Sequence, residues 1–132
     1  MRTEKKQKLA KLRHWRLRKK VSGTKECPRM SVRFTNEHIY VQFVDDQAGA
    51  TLASTSTRAK ANPDRDKLAA NVAGAQVIGK LAAEVAIAKG IKTVVFDRGG
   101  ARYHWSSNKE GKPVYGKLAT LAEAARAAGL KF

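Results

Sequence analysis

Residues 29–44 read RMSVRFTNEHIYVQFV. Met30, Val32 and Phe34 alternate with Arg29, Ser31 and Arg33. After the turn residues Thr35, Asn36 and Glu37, Ile39, Val41 and Phe43 alternate with Tyr40, Gln42 and Val44. Successive side chains on a strand point to opposite faces, so two such runs across a short polar turn predict an antiparallel hairpin. One face of it is apolar and must be covered. The other shows Arg29, Ser31, Arg33, Tyr40 and Gln42, a chemistry that suits contact with RNA as well as with water.

Working toward the C-terminus, Asp45-Asp46-Gln47-Ala48-Gly49 is a second turn, and residues 51–57 read as a third strand. That strand is rich in Thr and Ser, so an edge position is expected. A loop over 58–66 holds Asn62-Pro63-Asp64, with Asp66 as a candidate helix cap. A helix is expected over 67–89, with Leu68, Val72, Ala75, Ile78, Leu81, Ala82 and Val85 at helical spacing. Gly74 and Gly79 cost helicity and are expected to allow close packing on the sheet, and Gly90 stops the helix. The nearly all-apolar run 91–96 reads as a short, central, buried strand. It ends in the polar loop Asp97-Arg98-Gly99-Gly100. Residues 104–116 are polar and contain Gly without any periodicity. A last helix is expected over 117–128, with Leu130 and Phe132 returning to the core.

Toward the N-terminus, Ser22-Gly23-Thr24 and Pro28 separate the hairpin from a helix-forming segment, residues 3–20. Leu9, Leu12, Trp15 and Leu17 form no single apolar stripe, so this helix is expected to be ordered mainly by a partner. The expected architecture is an α/β (α+β) fold. A basic helical extension precedes a three-strand antiparallel meander, and a helix–strand–helix unit then packs on one mixed sheet. The expected division is an RNA-binding extension, 1–22, and a globular domain, 23–132, with a surface insertion at about 105–115.

Charge narrows the partner. The chain has 132 residues and a formal net charge of +16. Its first twenty residues hold ten Lys or Arg and one acid, Glu4, so this short segment carries +9. Charge so dense is not neutralised within its own segment, and a polyanion that releases counterions on binding is the natural partner. Trp15 and His14 add groups able to stack on bases. The single cysteine, Cys27, forms no intramolecular disulfide, which suits a reducing, cytoplasmic setting. No apolar run is long enough to span a membrane, and none follows the basic segment as a secretory signal requires. A mitochondrial transit peptide fits poorly, since the segment has more Lys than Arg and no Ser before Ser22.

Catalytic chemistry finds little support. Asp45, Asp46 and Asp97 fall near expected strand ends, where clustered carboxylates hold Mg²⁺ in two-metal nucleases, but no further acid matches them. Turn chemistry for Asp45 and Asp46, and an Asp97–Arg98 ion pair, are the plainer expectation. His14, His38 and His104 lack metal-ligand spacing, and no phosphate-binding glycine motif occurs. No cofactor, metal or small-molecule substrate is expected.

Several blocks together carry a family resemblance: Ser22-Gly23-Thr24, Pro28-Arg29, Asn36, His38-Ile39-Tyr40, Asp45-Asp46, Thr51-Leu52-Ala53-Ser54, Val95 to Gly100 and Leu121 to Arg126. In combination they resemble bacterial large-subunit ribosomal protein eighteen, over nearly the whole chain. The resemblance implies a small α/β fold with a basic N-terminal extension and no catalytic activity. It implies binding to 5S rRNA, attachment of 5S rRNA to the large-subunit rRNA in the central protuberance, and contact with neighbouring 5S-binding ribosomal proteins. A generic structured-RNA-binding assembly factor is the alternative. Three departures stand out. Arg33-Phe34 inverts the family's usual Phe-Arg order, Glu37 stands where a base is common, and residues 105–115 separate Tyr103-His104 from Gly116-Lys117. That insertion is expected to be a surface loop.

The expected RNA-contacting residues fall in three groups. The extension supplies Arg2, Lys5, Lys6, Lys8, Lys11, Arg13, His14, Trp15, Arg16, Arg18, Lys19 and Lys20, followed by Ser22, Gly23 and Thr24. The hairpin supplies Arg29, Ser31, Arg33, Asn36, His38, Tyr40 and Gln42. The loop after the fourth strand supplies Arg98, Gly99 and Gly100, with Tyr103, His104 and Lys117 beside it.

Overall fold

The computed structural model describes residues 2–60, 62 and 66–132, and the Trp105 side chain is left undescribed. Pro63 and Asp64, expected in a loop, lie outside the described residues. In chain order the elements are α1 (Thr3–Arg18), β1 (Arg29–Phe34), β2 (Ile39–Asp45), β3 (Ala50–Ser56), α2 (Val72–Ala88), β4 (Val95–Asp97), β5 (Trp105–Ser107), β6 (Pro113–Tyr115) and α3 (Lys117–Ala127).

The hairpin forms in the register its period dictates. Val32 lies opposite Val41 and Ser31 opposite Gln42, which keeps apolar and polar residues on separate faces. Phe34 joins the core face and Arg33 is exposed on the other, so the inverted Arg-Phe order is resolved by the strand period. β3 pairs antiparallel with β2, with a register shift between Phe43 and Val44. β4 pairs parallel with β1, giving the mixed sheet β3-β2-β1-β4. β3 is therefore an edge strand, as its polar composition suggested.

α2 and α3 pack against each other and cover the apolar face. Met30, Val41 and Phe43 meet Ile78, Ala82, Leu121 and Ala125 there, all fully buried. Burial of the larger apolar side chains among these, at roughly 1.5–3 kcal/mol each, is what holds helices to sheet. A Cβ on Gly79 would stand 2.5 Å from the Leu121 carbonyl oxygen and 2.8 Å from Ala124 Cβ. This glycine thus serves close approach of α2 to α3, not to the sheet as expected.

Other expectations need correction. α2 starts at Val72, not at 67. Its cap is Asn71, whose side-chain oxygen accepts from the Gly74 N–H at 2.8 Å, and not Asp66. Val72 is half exposed despite its place in the expected apolar face. The 91–96 run is not a central strand, because only its last two residues continue into β4, which lies at the sheet edge. Ile91 and Val94 are buried in the core cluster although neither belongs to a strand of the sheet, and Thr93 bridges Lys131 of the returning C-terminus. Leu130 is buried, and Phe132 stacks on Phe96 at 5.2 Å, so the C-terminus does return to the core.

The insertion is a two-stranded hairpin rather than an irregular loop, with Trp105 opposite Tyr115. Its turn is built by Asn108, whose side-chain oxygen accepts from the Glu110 and Lys112 N–H groups, and by Gly111 at φ +78°. Three-residue strands are too short to display a period in sequence.

Candidate nucleic-acid interface

Because both large helices lie on one face, the opposite face of the sheet stays open. Adjacent strands align its polar residues in rows. Ser31, Gln42 and Ser54 make one row, and Arg33, Tyr40 and Ser56 make the next. Ser54 and Ser56 complete rows that the sequence offered only from β1 and β2; register is what identifies them.

The floor of this face near β4 is an ion-pair network centred on Arg29. Its Nη1 donates to Asp97 Oδ2 at 2.8 Å, and its Nε and Nη2 donate to the two oxygens of Asp46 at 3.0 and 3.2 Å. Burial alone disfavours the charged guanidinium, but the hydrogen bonds to Asp46 and Asp97 outweigh it and raise the Arg29 pKa. Asp46 is held below its ordinary pKa, first by the Arg29 hydrogen bonds, against burial, and further by the Gly23 N–H at 2.7 Å and by Arg18. Asp97 also accepts from the Gly99 N–H at 2.9 Å. The expected Asp97–Arg98 pair is therefore replaced by Asp97–Arg29. Arg29 is buried and committed to two carboxylates, unlike its exposed neighbour Arg33. Asp45 caps its turn, accepting from the N–H groups of Gln47 and Ala48, as turn chemistry predicts.

α1 crosses this end of the molecule without burying any residue. Arg18 ties it down through a 3.0 Å ion pair with Asp46, and His14 lies beside Gly99 and Gly100. Both glycines have positive φ, +61° and +83°, which lets the loop turn tightly beneath the helix. A cavity of about 510 Å³ opens between α1, β1 and this loop. His14, Trp15, Arg18, Ser31, Arg33, Arg98 and Gly99 are among its lining residues, with Arg29 and Asp97 at its base. A second groove of about 320 Å³ is lined by Arg13, Arg16, Leu17, Lys20, Arg98 and Gly100. Arg98 belongs to both. The remaining extension cations, Arg2, Lys5, Lys6, Lys8, Lys11 and Lys19, are exposed.

Other candidates fall elsewhere. Gly23 is buried against the Arg29 amide and the Val44 carbonyl, and Thr24 Oγ1 accepts from the Cys27 N–H, so Ser22–Thr24 form the joint between α1 and the sheet. Asn36 is exposed at the hairpin tip. His38 Nδ1 lies 3.0 Å from Thr57 Oγ1, and its ring lines a further groove with Arg58, Lys60 and Asp66. Arg58 and Lys60 were not singled out from the sequence, since a loop offers no register to place them. Tyr103 turns to α3, where its hydroxyl donates to Glu123 at 2.7 Å and accepts from Arg126 at 3.2 Å. Burial, then the Glu123 bond, raises the Tyr103 pKa; the same bond lowers that of Glu123. His104 and Lys117 are exposed, and with Tyr103 they lie outside both basic grooves. Among the described residues no group of three His, Cys, Asp or Glu side chains is placed to hold a metal, and no helix is long and apolar enough to cross a membrane.

The family of ribosomal L18 proteins from archaea, bacteria, mitochondria and chloroplasts matches residues 4–132. The chain is 47% identical over its full length, and over the full length of the relative, to the large ribosomal subunit protein uL18 of Crocosphaera subtropica. It is 44% identical to the protein of that name from Dictyoglomus thermophilum, covering 94% of this chain and 93% of the relative. For the Exiguobacterium protein of that name, identity is 48%, covering 92% and 91%. With its mixed sheet, two covering helices and basic N-terminal helix, the chain belongs to the ribosomal L18 family.

Proposed function

We propose that this chain is a structural, RNA-binding constituent of the large ribosomal subunit. In this reading it binds 5S rRNA, helps attach it to the large-subunit rRNA in the central protuberance, and abuts other 5S-binding ribosomal proteins. It is not an enzyme, as its relatives are structural ribosomal proteins. The observation that carries the reading is the convergence of α1, the open polar face of β1 and the Asp97–Gly100 loop on two adjoining basic grooves. Exposed guanidiniums, an indole and glycine backbone at one place fit structured RNA better than they fit a protein surface. Residues 1–22 act as a phosphate-gripping extension, and 23–132 as the body that selects the RNA. The resemblance to ribosomal protein eighteen names 5S rRNA as the ligand.

The test is a gel-shift competition at fixed salt. 5S rRNA and an unrelated RNA duplex of equal length compete for the full-length protein. Selective retention of 5S rRNA is the expected result. Equal competition by the duplex points instead to a generic structured-RNA-binding assembly factor.

A further inference from the structure

The cavity beneath α1 has a composition more specific than a phosphate grip requires. Trp15 is 63% exposed and, among the described residues, no other ring packs on it. Among the described residues Arg33 and Arg98 make no side-chain hydrogen bond or ion pair, so two planar cations stand unneutralised at the rim. The carboxylates nearby are already spent. Asp97 serves Arg29 and Gly99, while Asp46 serves Arg29, Arg18 and Gly23. The base is therefore close to neutral and the rim is cationic. At about 510 Å³ the space falls within the range of small-molecule sites, not of a flat phosphate-tracking surface.

An RNA duplex offers a convex backbone and stacked, inaccessible bases. Aromatic rings and arginine planes read bases that have left the stack. We propose that this cavity takes a single unstacked nucleotide of the bound RNA. Its base lies against the Trp15 indole, and its flanking phosphates are held by Arg33 and Arg98. The inference rests on the RNA-binding reading above and adds to it the state of the nucleotide and the three side chains that take it.

The test uses the full chain with Trp105→Phe, so that Trp15 is the single indole. A short oligoadenylate and a blunt duplex of the same length are titrated at the same ionic strength, and Trp15 fluorescence is read. Saturable quenching by the single strand, with little from the duplex, is expected. Arg33→Gln with Arg98→Gln should weaken that single-strand binding at least tenfold. Trp15 is on the exposed face of a helix, so its substitution leaves the body folded. Trp15→Ala should weaken 5S rRNA binding about tenfold, in line with the loss of one base–aromatic stack, and Trp15→Phe should restore most of it. Equal quenching by both nucleic acids, or full 5S affinity in Trp15→Ala, overturns the nucleotide site. Selective 5S rRNA binding by the parent protein is read separately in the competition above, so the two ideas fail independently.

Discussion

At the scale of single residues, Arg29 and Asp46 decide how the candidate interface is built. Arg29 reaches its two acids across 17 and 68 positions of sequence, so no local motif announces the network. Asp46 joins three segments at one carboxylate: the α1 terminus through Arg18, the joint through Gly23, and β1 through Arg29. Hydrogen bonds to charged groups contribute roughly 1.5–3 kcal/mol, and a carboxyl lost here leaves Arg29 with only Asp97. Asp46→Asn should therefore destabilise the fold by about 2 kcal/mol near neutral pH. The pH dependence carries a definite sign. The folded-state pKa of Asp46 is lowered, so its contribution is complete above the ordinary carboxylate value and disappears as pH falls through the folded one. Thermal melts of parent and variant should differ by a constant amount near neutrality, begin to converge only below about pH 4, and meet once the pH is below the lowered folded-state value. A gap that stays constant into strong acid would show that Asp46 is not ionised and paired in the folded protein.

At the scale of elements, what was legible in the sequence depended on length and on locality. The β1–β2 hairpin was readable because six and seven residues suffice to show a period of two against a buried face. α3 was readable from Leu118, Leu121, Ala122 and Ala125, all buried as their spacing implies. The β5–β6 hairpin was not, since three-residue strands with an exposed β6 present no contrast between faces. The 91–96 run is a related case: an apolar run reports burial, and Ile91 and Val94 are buried without belonging to any strand of the sheet. Of the candidate site, the cationic helix and the polar strand face were visible as composition and period. Their meeting over Gly99 and Gly100 was not, because only the parallel pairing of β1 with β4 brings that loop to α1. The β5–β6 hairpin also makes a prediction of its own. Its ends are already adjacent, with the Gly116 N–H donating to the His104 carbonyl at 2.8 Å, and β6 is exposed throughout. A two-stranded hairpin adds little stability by itself. Joining residue 104 directly to Gly116 should change the unfolding free energy by less than about 1 kcal/mol, measured by urea denaturation. A loss several times larger would make the hairpin part of the core rather than an appended arm.

At the scale of the whole molecule, the proposed function divides affinity and selection between two parts of one chain. Residues 1–20 carry +9 of the total +16, and α1 buries none of its residues. Such a helix adds little to the stability of the body and much to its attraction for phosphate. The body keeps the cavity walls given by β1 and the Asp97–Gly100 loop, along with the Arg29 network beneath them. Removing residues 1–20 should leave the body folded while weakening 5S rRNA binding by orders of magnitude at low salt. The diagnostic quantity is the dependence of affinity on salt. Each phosphate contact contributes a slope of roughly 0.7–0.9 in log K against log salt, so losing about five contacts flattens the slope by about four. Selectivity for 5S rRNA over a duplex should fall by about the tenfold that the Trp15 stack supplies, far less than affinity, because the register of the open sheet face is unchanged. A truncated protein that bound as tightly, with the same slope, would place the electrostatic grip on the body and leave α1 without a role in RNA binding. A truncated protein that lost its selectivity as well would make α1 the reader of the RNA, with the sheet as its support.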